Sequence, residues 1–332
     1  AVVAPLGTIY DTLWVRSADD SVRTLDQVAD ELATYDVVFF GEYHGHPGNH
    51  LAQMQVFQAL HKRNADATLS LEQFERDTQP IVDQYLAGEI GEKTLQEEGR
   101  GWDNYEQSYR PLVEYARTHD LPVIASNAPK NIVICVGKKG PEILDEIPQP
   151  DRGWVAETLH IDEGAYLDKY MSFITGTASH GPAAKAEDDE AQDDESASHG
   201  IPDAMRGMVM RSFAAQVTRD DTMAESIARH LENNPGRNVL HLDGNFHSAS
   251  HLGTVERLQL RMPDLKIAVI NPIIVEDHDN PAWTAEDAAT GDFILLVQTI
   301  PEDFVRDDAR EKFQREIMSK RMGNKCEYGV DQ

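Results

Sequence analysis

Three short stretches concentrate side chains that hold metals or move protons. Gly41–His50 reads GEYHGHPGNH, Ser70–Asp77 reads SLEQFERD, and Gly244–His247 reads GNFH. Each lies at the exit of a buried-looking apolar run: VVFF (37–40), TLSL (68–71) and VLHL (239–242). Glu42, His44, Glu72 and His247 together supply the donor types of a divalent-metal site that keeps a position open for water. The same four suit metal-free hydrolysis, with a His as general base and a Glu orienting its ring. Residue types alone leave both chemistries open. One Glu or His at a strand exit is commonly a cap or a solvated loop residue. Two separate Gly-x-x-His segments after two buried strands are harder to dismiss and point to a shared site. Asn127, Asp243 and Asn245 belong to the same set of strand exits, whereas His46, His50 and His251 read as supporting or surface residues.

The elements that must position this set are legible from periodicity. Strands are predicted at 37–40, 67–72, 121–129, 239–242, 266–275 and 293–300, and helices at 21–35, from Pro47, at 79–87, 95–98, 109–118, 158–174, 203–231 and 251–262. Their alternation predicts an α/β fold: a central, mainly parallel sheet covered by helices, with an inserted all-helical lid subdomain. Residues 1–150 and 234–332 read as the core and 151–233 as the helical insertion. Residues 176–200 within it are rich in Asp, Glu, Ala and Ser, and read as an acidic flexible loop. Ligands of open parallel sheets bind outside the carboxyl ends of the strands, which is where the Glu/His set falls.

Composition excludes some partners. The chain of 332 residues has 58 acidic against 30 basic side chains, a net charge of −28. Nucleic acid needs a basic footprint and is not expected; nor is attraction to anionic lipid by charge alone. No apolar run is long enough for a transmembrane helix. No basic and apolar leader opens the chain, so no signal peptide is read there. Two cysteines, Cys135 and Cys326, do not make a disulfide scaffold or a Cys-based zinc site, and Cys135 in NIVICVG reads as a small core residue. Arg110 reads as an ion-pair partner, Trp102 as a helix-start anchor or a pocket wall, Asp220 or Asp221 as a helix cap and Arg219 as a pairing partner.

Taken in order, GEYHGHPGNH, SLEQFERDTQPIVDQYLAGEI, WDNYEQSYRPLVEYARTHDLPVIASNAP, RDDTMAESIARHL and VLHLDGNFHSASHLGT resemble the ChaN-like haem-binding uptake proteins, the haem-regulated lipoprotein family, over about residues 35–271. The wider clan includes erythromycin esterases and TIKI/TraB proteins, some of them hydrolases. The resemblance implies an α/β core with a helical lid, a homodimer, and a role in haem or iron acquisition at the bacterial periplasm or envelope alongside other uptake components. It also implies ferric haem between subunits, its iron held by a tyrosine of one and its propionates reached by a histidine of the other. No lipid-bearing Cys stands at the start of this chain, a departure from the lipoprotein pattern.

The insertion offers matching residue types. Tyr166 and Tyr170 stand four apart on one helix face, and a phenolate suits ferric haem. His180 and His199, each in an SHG triplet, have the charge to reach a propionate. Met205, Met208, Met210 and Phe213 offer an apolar face. Aromatic and Met stripes on helices are also ordinary core, which is the plain alternative for both tyrosines. The absence of CxxCH makes any haem non-covalent.

Overall fold

The computed structural model describes residues 3–175 and 203–329; the predicted acidic loop, with His180 and His199, lies outside the described residues. The chain opens with an antiparallel pair, β1 (Thr12–Arg16) and β2 (Ser21–Arg23), then α1 (Leu25–Leu32), β3 (Val37–Glu42), α2 (Pro47–Arg63), β4 (Ala67–Glu75), α3 (Gln79–Leu86), α4 (Glu92–Glu98), α5 (Tyr105–Ser108), α6 (Arg110–Thr118) and β5 (Val123–Asn127). Helices α7 (Lys130–Lys139), α8 (Ala165–Thr175) and α9 (Asp203–Asn233) precede β6 (Asn238–Gly244). The chain then runs through α10 (Thr254–Arg261), β7 (Ile267–Val275), α11 (Ala285–Ala288), β8 (Phe293–Gln298) and α12 (Asp307–Gly323).

One eight-stranded sheet has the order β2-β1-β8-β7-β3-β6-β4-β5. From β8 to β5 neighbouring strands are parallel, and the β1–β2 pair adds an antiparallel edge to β8. This is the mainly parallel α/β sheet expected, with the long helix α9 entering before β6. Strand β6 slots between β3 and β4, so its exit is flanked by the exits of the other two. Glu42 pairs across to Gly244, and Leu71 to Leu242.

Period-two alternation sorts each strand between two layers. Val38 and Phe40 of β3 pack with Phe57 and Leu60 of α2 and Leu112 and Val113 of α6. Val37 and Phe39 face the other way, against Ile227 and Leu231 of α9 and Leu258 of α10. The open edge at β5 is closed by a side chain. The Gln79 amide accepts from the Ala125 N–H at 2.7 Å and donates to the Val123 carbonyl at 2.8 Å, as a neighbouring strand would.

Several expectations need correction. The helix predicted over 21–35 starts only at Leu25, because Ser21–Arg23 pairs with β1 and a Thr24/Gln27 capping box fixes the turn. Residues 158–164 precede α8 rather than join it. Cys135 is buried, but it is half of a disulfide with Cys326, 191 residues away, which ties the C-terminal segment to α7. Asp220 does not cap a helix: it lies inside α9 with no exposed surface. Arg110 pairs with Glu92, as expected.

Candidate functional site

The alternation that builds the core also splits the strand-end polar residues into two networks. Glu42 continues the Val38–Phe40 face and points toward α2 and α6. There its Oε1 accepts from Tyr109 Oη, from His44 Nδ1 at 2.8 Å and from Gln73 Nε2 at 3.3 Å, while Oε2 accepts from Gln53 Nε2 at 2.9 Å. Burial alone raises the Glu42 pKa. Hydrogen bonding by His44, the His44 charge and the Tyr109 hydroxyl outweigh it, so the group stays below the usual carboxylate range. His50 stands 3.7 Å from Oε2, and the Gly45 N–H donates to its Nε2 at 3.1 Å.

Glu72 lies on the opposite face, toward α9. Its Oε2 accepts from the Gly244 N–H at 2.7 Å and its Oε1 is 3.5 Å from His247 Nε2. On the far side of that ring, His247 Nδ1 donates to Asp220 Oδ1 at 2.6 Å. Asp220 also accepts from Tyr166 Oη at 2.6 Å and Thr254 Oγ1 at 2.9 Å. Burial pulls the His247 pKa down, yet the Glu72 and Asp220 carboxylates around it prevail and push it up to about 9. His247 is therefore an imidazolium at neutral pH, buried between two carboxylates. At Gly253, whose φ is +64°, an added Cβ would lie 2.4 Å from the His247 carbonyl, so the turn presenting His247 depends on glycine.

His44 joins the networks. Its side chain is 50% exposed, the one member of the predicted quartet open to solvent. Desolvation lowers its pKa, but its hydrogen bond to Glu42 and the Glu72 and Glu42 charges raise it overall. Its Nε2 would lie 3.0 Å from a Cβ placed on Gly244, so a glycine there leaves the ring room beside Glu72's anchor point. Trp102 stacks edge-on against His44 at 4.9 Å and walls this side of the rim. The four residues thus meet at a single rim, His44 outermost.

Beneath the rim lies a neutral pair. Burial pushes His241 down to about 3, and Asp243 is driven well above the carboxylate range. Ser248 Oγ donates to Asp243 Oδ1 at 2.7 Å. The 3.7 Å approach of His241 Nε2 to Asp243 Oδ2 is therefore a contact between two uncharged groups. His46 accepts from the Asn49 N–H at the start of α2 and reaches the Gln298 carbonyl at 2.8 Å, and His251 pairs with Asp292. These roles are structural, as expected.

Among the described residues no group of three or more His, Cys, Asp or Glu is disposed to hold a metal ion, and Glu42, His44, Glu72 and His247 are no exception. Protein donors occupy both Glu42 oxygens and Glu72 Oε2.

In the insertion, Tyr166 and Tyr170 both point inward. Their rings pack on Phe213 and Phe246, with Tyr170–Phe213 centroids 5.3 Å apart. Phe213, read as a candidate haem face, is wholly buried by this packing. Tyr166 is committed to Asp220, and burial with that carboxylate beside it raises its pKa well above the usual phenol. Its phenolate is the disfavoured form. Tyr170 meets a neutral partner, Ser212 Oγ, at 2.5 Å. Beyond it, the end of α8 exposes Phe173 (62%) and Ile174, and the start of α9 exposes Met205 and Met208 (57%). An apolar macrocycle fits such surfaces. Lys169 Nζ donates to the Phe246 and Ala249 carbonyls at 2.9 and 2.8 Å and is pushed down to about 8 by burial.

Sequence reasoning did not place Asp220, Tyr109 or Gln53 at the site. Asp220 carried a signal: it falls on the stripe Phe213, Val217, Asp220, Ala224, Ile227 and Leu231, where a carboxylate does not belong without a buried partner.

Fold and rim define a class: a mainly parallel α/β sheet that gathers carboxylates and imidazoles at its strand ends beneath a long helical insertion. The sequence model of the family described as haem-binding uptake, Tiki superfamily, ChaN matches residues 28–258, and the chain belongs to that family. The structure titled cofacial heme binding to ChaN of Campylobacter jejuni is similar at 13% identity and a TM-score of 0.60, covering 87% of this chain and 98% of that one. A Bacillus cereus protein (11% identity, TM-score 0.47, 89% of this chain and 94% of that) and a mutant of the erythromycin esterase EreC in its open conformation (13%, 0.44, 91% and 86%) are more distant in shape. No curated protein matches the chain. Among the described residues no helix is long and apolar enough to cross a membrane.

Proposed function

We propose that this chain binds ferric haem non-covalently and serves haem or iron uptake at the bacterial envelope, with residues 151–233 as the ligand-binding insertion. The observation that carries this reading is the family match across residues 28–258. The exposed Phe173, Ile174, Met205 and Met208 support it, since an apolar ring system gains from covering them. The Cys135–Cys326 disulfide supports an oxidising compartment. Bound haem supplies a ferric centre that a hard phenolate can ligate. We assign that ligand to Tyr170 over Tyr166, whose hydroxyl is held by the Asp220 carboxylate. His180 and His199 are the proposed propionate contacts. Hemin titration tests the reading: a saturable Soret band is expected, altered by Tyr170→Phe and little changed by Tyr166→Phe. No saturable band would overturn the function, and a band indifferent to Tyr170→Phe would overturn the ligand.

One observation favours a second reading. Glu42 Oε1 fixes the Nδ1–H of His44 at 2.8 Å and leaves the other nitrogen of a half-exposed imidazole at the rim. A His oriented by a buried carboxylate is the arrangement of a general base for hydrolysis. Turnover of an ester or peptide panel, abolished by His44→Ala, would support it, and no turnover would remove it.

A further inference from the structure

Two histidines away from the rim share one tyrosine. His61 sits in the last turn of α2, and His119 closes α6 as its C-cap. The chain enters β4 at Ala67 and β5 at Val123 just beyond them. The pair therefore lies where the strands begin, at the opposite end of the sheet from Glu42 and His44. Phe57 and Leu60 of α2 pack with Leu112 and Val113 of α6, which fixes the two helix ends relative to each other.

Tyr115 organises both imidazoles. Its carbonyl accepts from His119 Nδ1 at 2.8 Å, and its ring stacks on the His119 ring with centroids 4.1 Å apart. Its hydroxyl meets His61 Nδ1 at 2.9 Å. Phe57 packs edge-on against the Tyr115 ring at 5.6 Å and holds the tyrosine itself in place. Each Nδ1 is thus engaged, and among the described residues neither Nε2 has a hydrogen-bond partner. An imidazole that donates its Nδ1–H to a protein oxygen presents a bare Nε2 lone pair, as metal-ligating histidines do.

The spacing fits one ion. The His61 and His119 ring centroids are 5.2 Å apart. Two imidazoles bound at about 2.0–2.1 Å to a tetrahedral ion put their centroids about 5 Å apart, against about 4.5 Å for adjacent positions of a square-planar ion. Both residues end helices, where the dipoles favour a cation. A net charge of −28 also raises the cation concentration around the chain.

We infer that His61 and His119 form a zinc site through their Nε2 atoms, with Tyr115 as its positioning residue and water in the remaining positions. Two protein ligands make the site exchangeable, unlike a structural site closed by four. The inference does not depend on haem.

Calorimetric titration of the full chain, without hemin, with zinc chloride tests it. Saturable binding is expected at this pair. His61→Gln and His119→Gln should each weaken it by at least about 10-fold, and so should Tyr115→Phe, which keeps the stacked ring and removes the hydroxyl. X-ray absorption at the zinc edge should show two imidazole nitrogens at about 2.0 Å. Zinc should raise the Tm of the parent and not of the two histidine variants, whose zinc-free far-UV spectra should match the parent's. If the pair is only an edge-to-face contact between rings, the substitutions change the zinc-free Tm and no zinc response exists to lose. No saturable binding overturns the inference. So does an affinity indifferent to either histidine, or zinc released by His44→Gln and kept by His61→Gln, which would place the ion at the rim.

Discussion

The imidazole held between Glu72 and Asp220 should make stability fall with alkaline pH. His247 lies at about 9 in the folded protein against an ordinary 6.5, and it is 7% exposed, so solvent screens its partners little. At about 1.4 kcal/mol per pH unit, that difference amounts to about 3 kcal/mol. The folded state keeps its proton between these two values while the unfolded chain gives it up, so folding binds protons there. The stabilisation is complete below pH 6.5 and lost as pH rises through about 9. Lys169 acts in the opposite sense. It is held at about 8 against 10.5, so the unfolded chain binds more protons there and stability rises across that window. Urea midpoints for the parent and for His247→Gln, measured at about pH 6, 7.5 and 9.5, separate the two, because Lys169 is common to both proteins. The parent's advantage over the variant should shrink by about 3 kcal/mol across the series. An advantage that does not change with pH would refute the buried imidazolium and the charge pattern built around it.

Three further outcomes follow from the same bonding. Tyr109→Phe removes a donor from the buried Glu42 carboxylate and should cost about 1.5–3 kcal/mol in urea unfolding; an unchanged midpoint would mean Glu42 does not rely on that hydroxyl. Gln79→Ala strips the Val123 carbonyl and the Ala125 N–H of their partner, so stability should fall by about 1–2 kcal/mol. Light scattering should rise as the β5 edge opens, and an unaggregated, equally stable variant would show that the edge is closed by something else. Cys326→Ser should cost about 2–5 kcal/mol, matched by reducing the parent and not deepened by reducing the variant.

The strands that carry the rim were legible because each is a short apolar run ending in a polar turn, and parallel order followed from the helices between them. Legible too was the meeting of Glu42, His44, Glu72 and His247, since strand exits share an edge. What the linear pattern did not give is which face each residue takes relative to its neighbours. Glu42 and Glu72 fall on opposite faces because they continue the Phe40 and Ser70 sides of their strands, and only His44, in the loop, spans both. Partners from helices far along the chain, Tyr109 and Asp220, had no local mark beyond a polar group on an apolar stripe. The β1–β2 pair is too short to show period two, and the Cys135–Cys326 bond joins residues with nothing in the intervening sequence to announce it. The helix predicted over 21–35 loses its first residues because Ser21–Arg23 satisfies its backbone on β1 instead.

The central claim is that haem sits on the helical insertion with its iron at Tyr170. An anomalous-difference map at the iron edge, from crystals grown with hemin, tests this directly. The account predicts one iron peak beside α8 at bonding distance from Tyr170 Oη, with the macrocycle over Phe173 and Met208. Iron at the Glu42–His44 rim, or hemin that saturates the protein in solution while leaving α8 bare in the map, would contradict it.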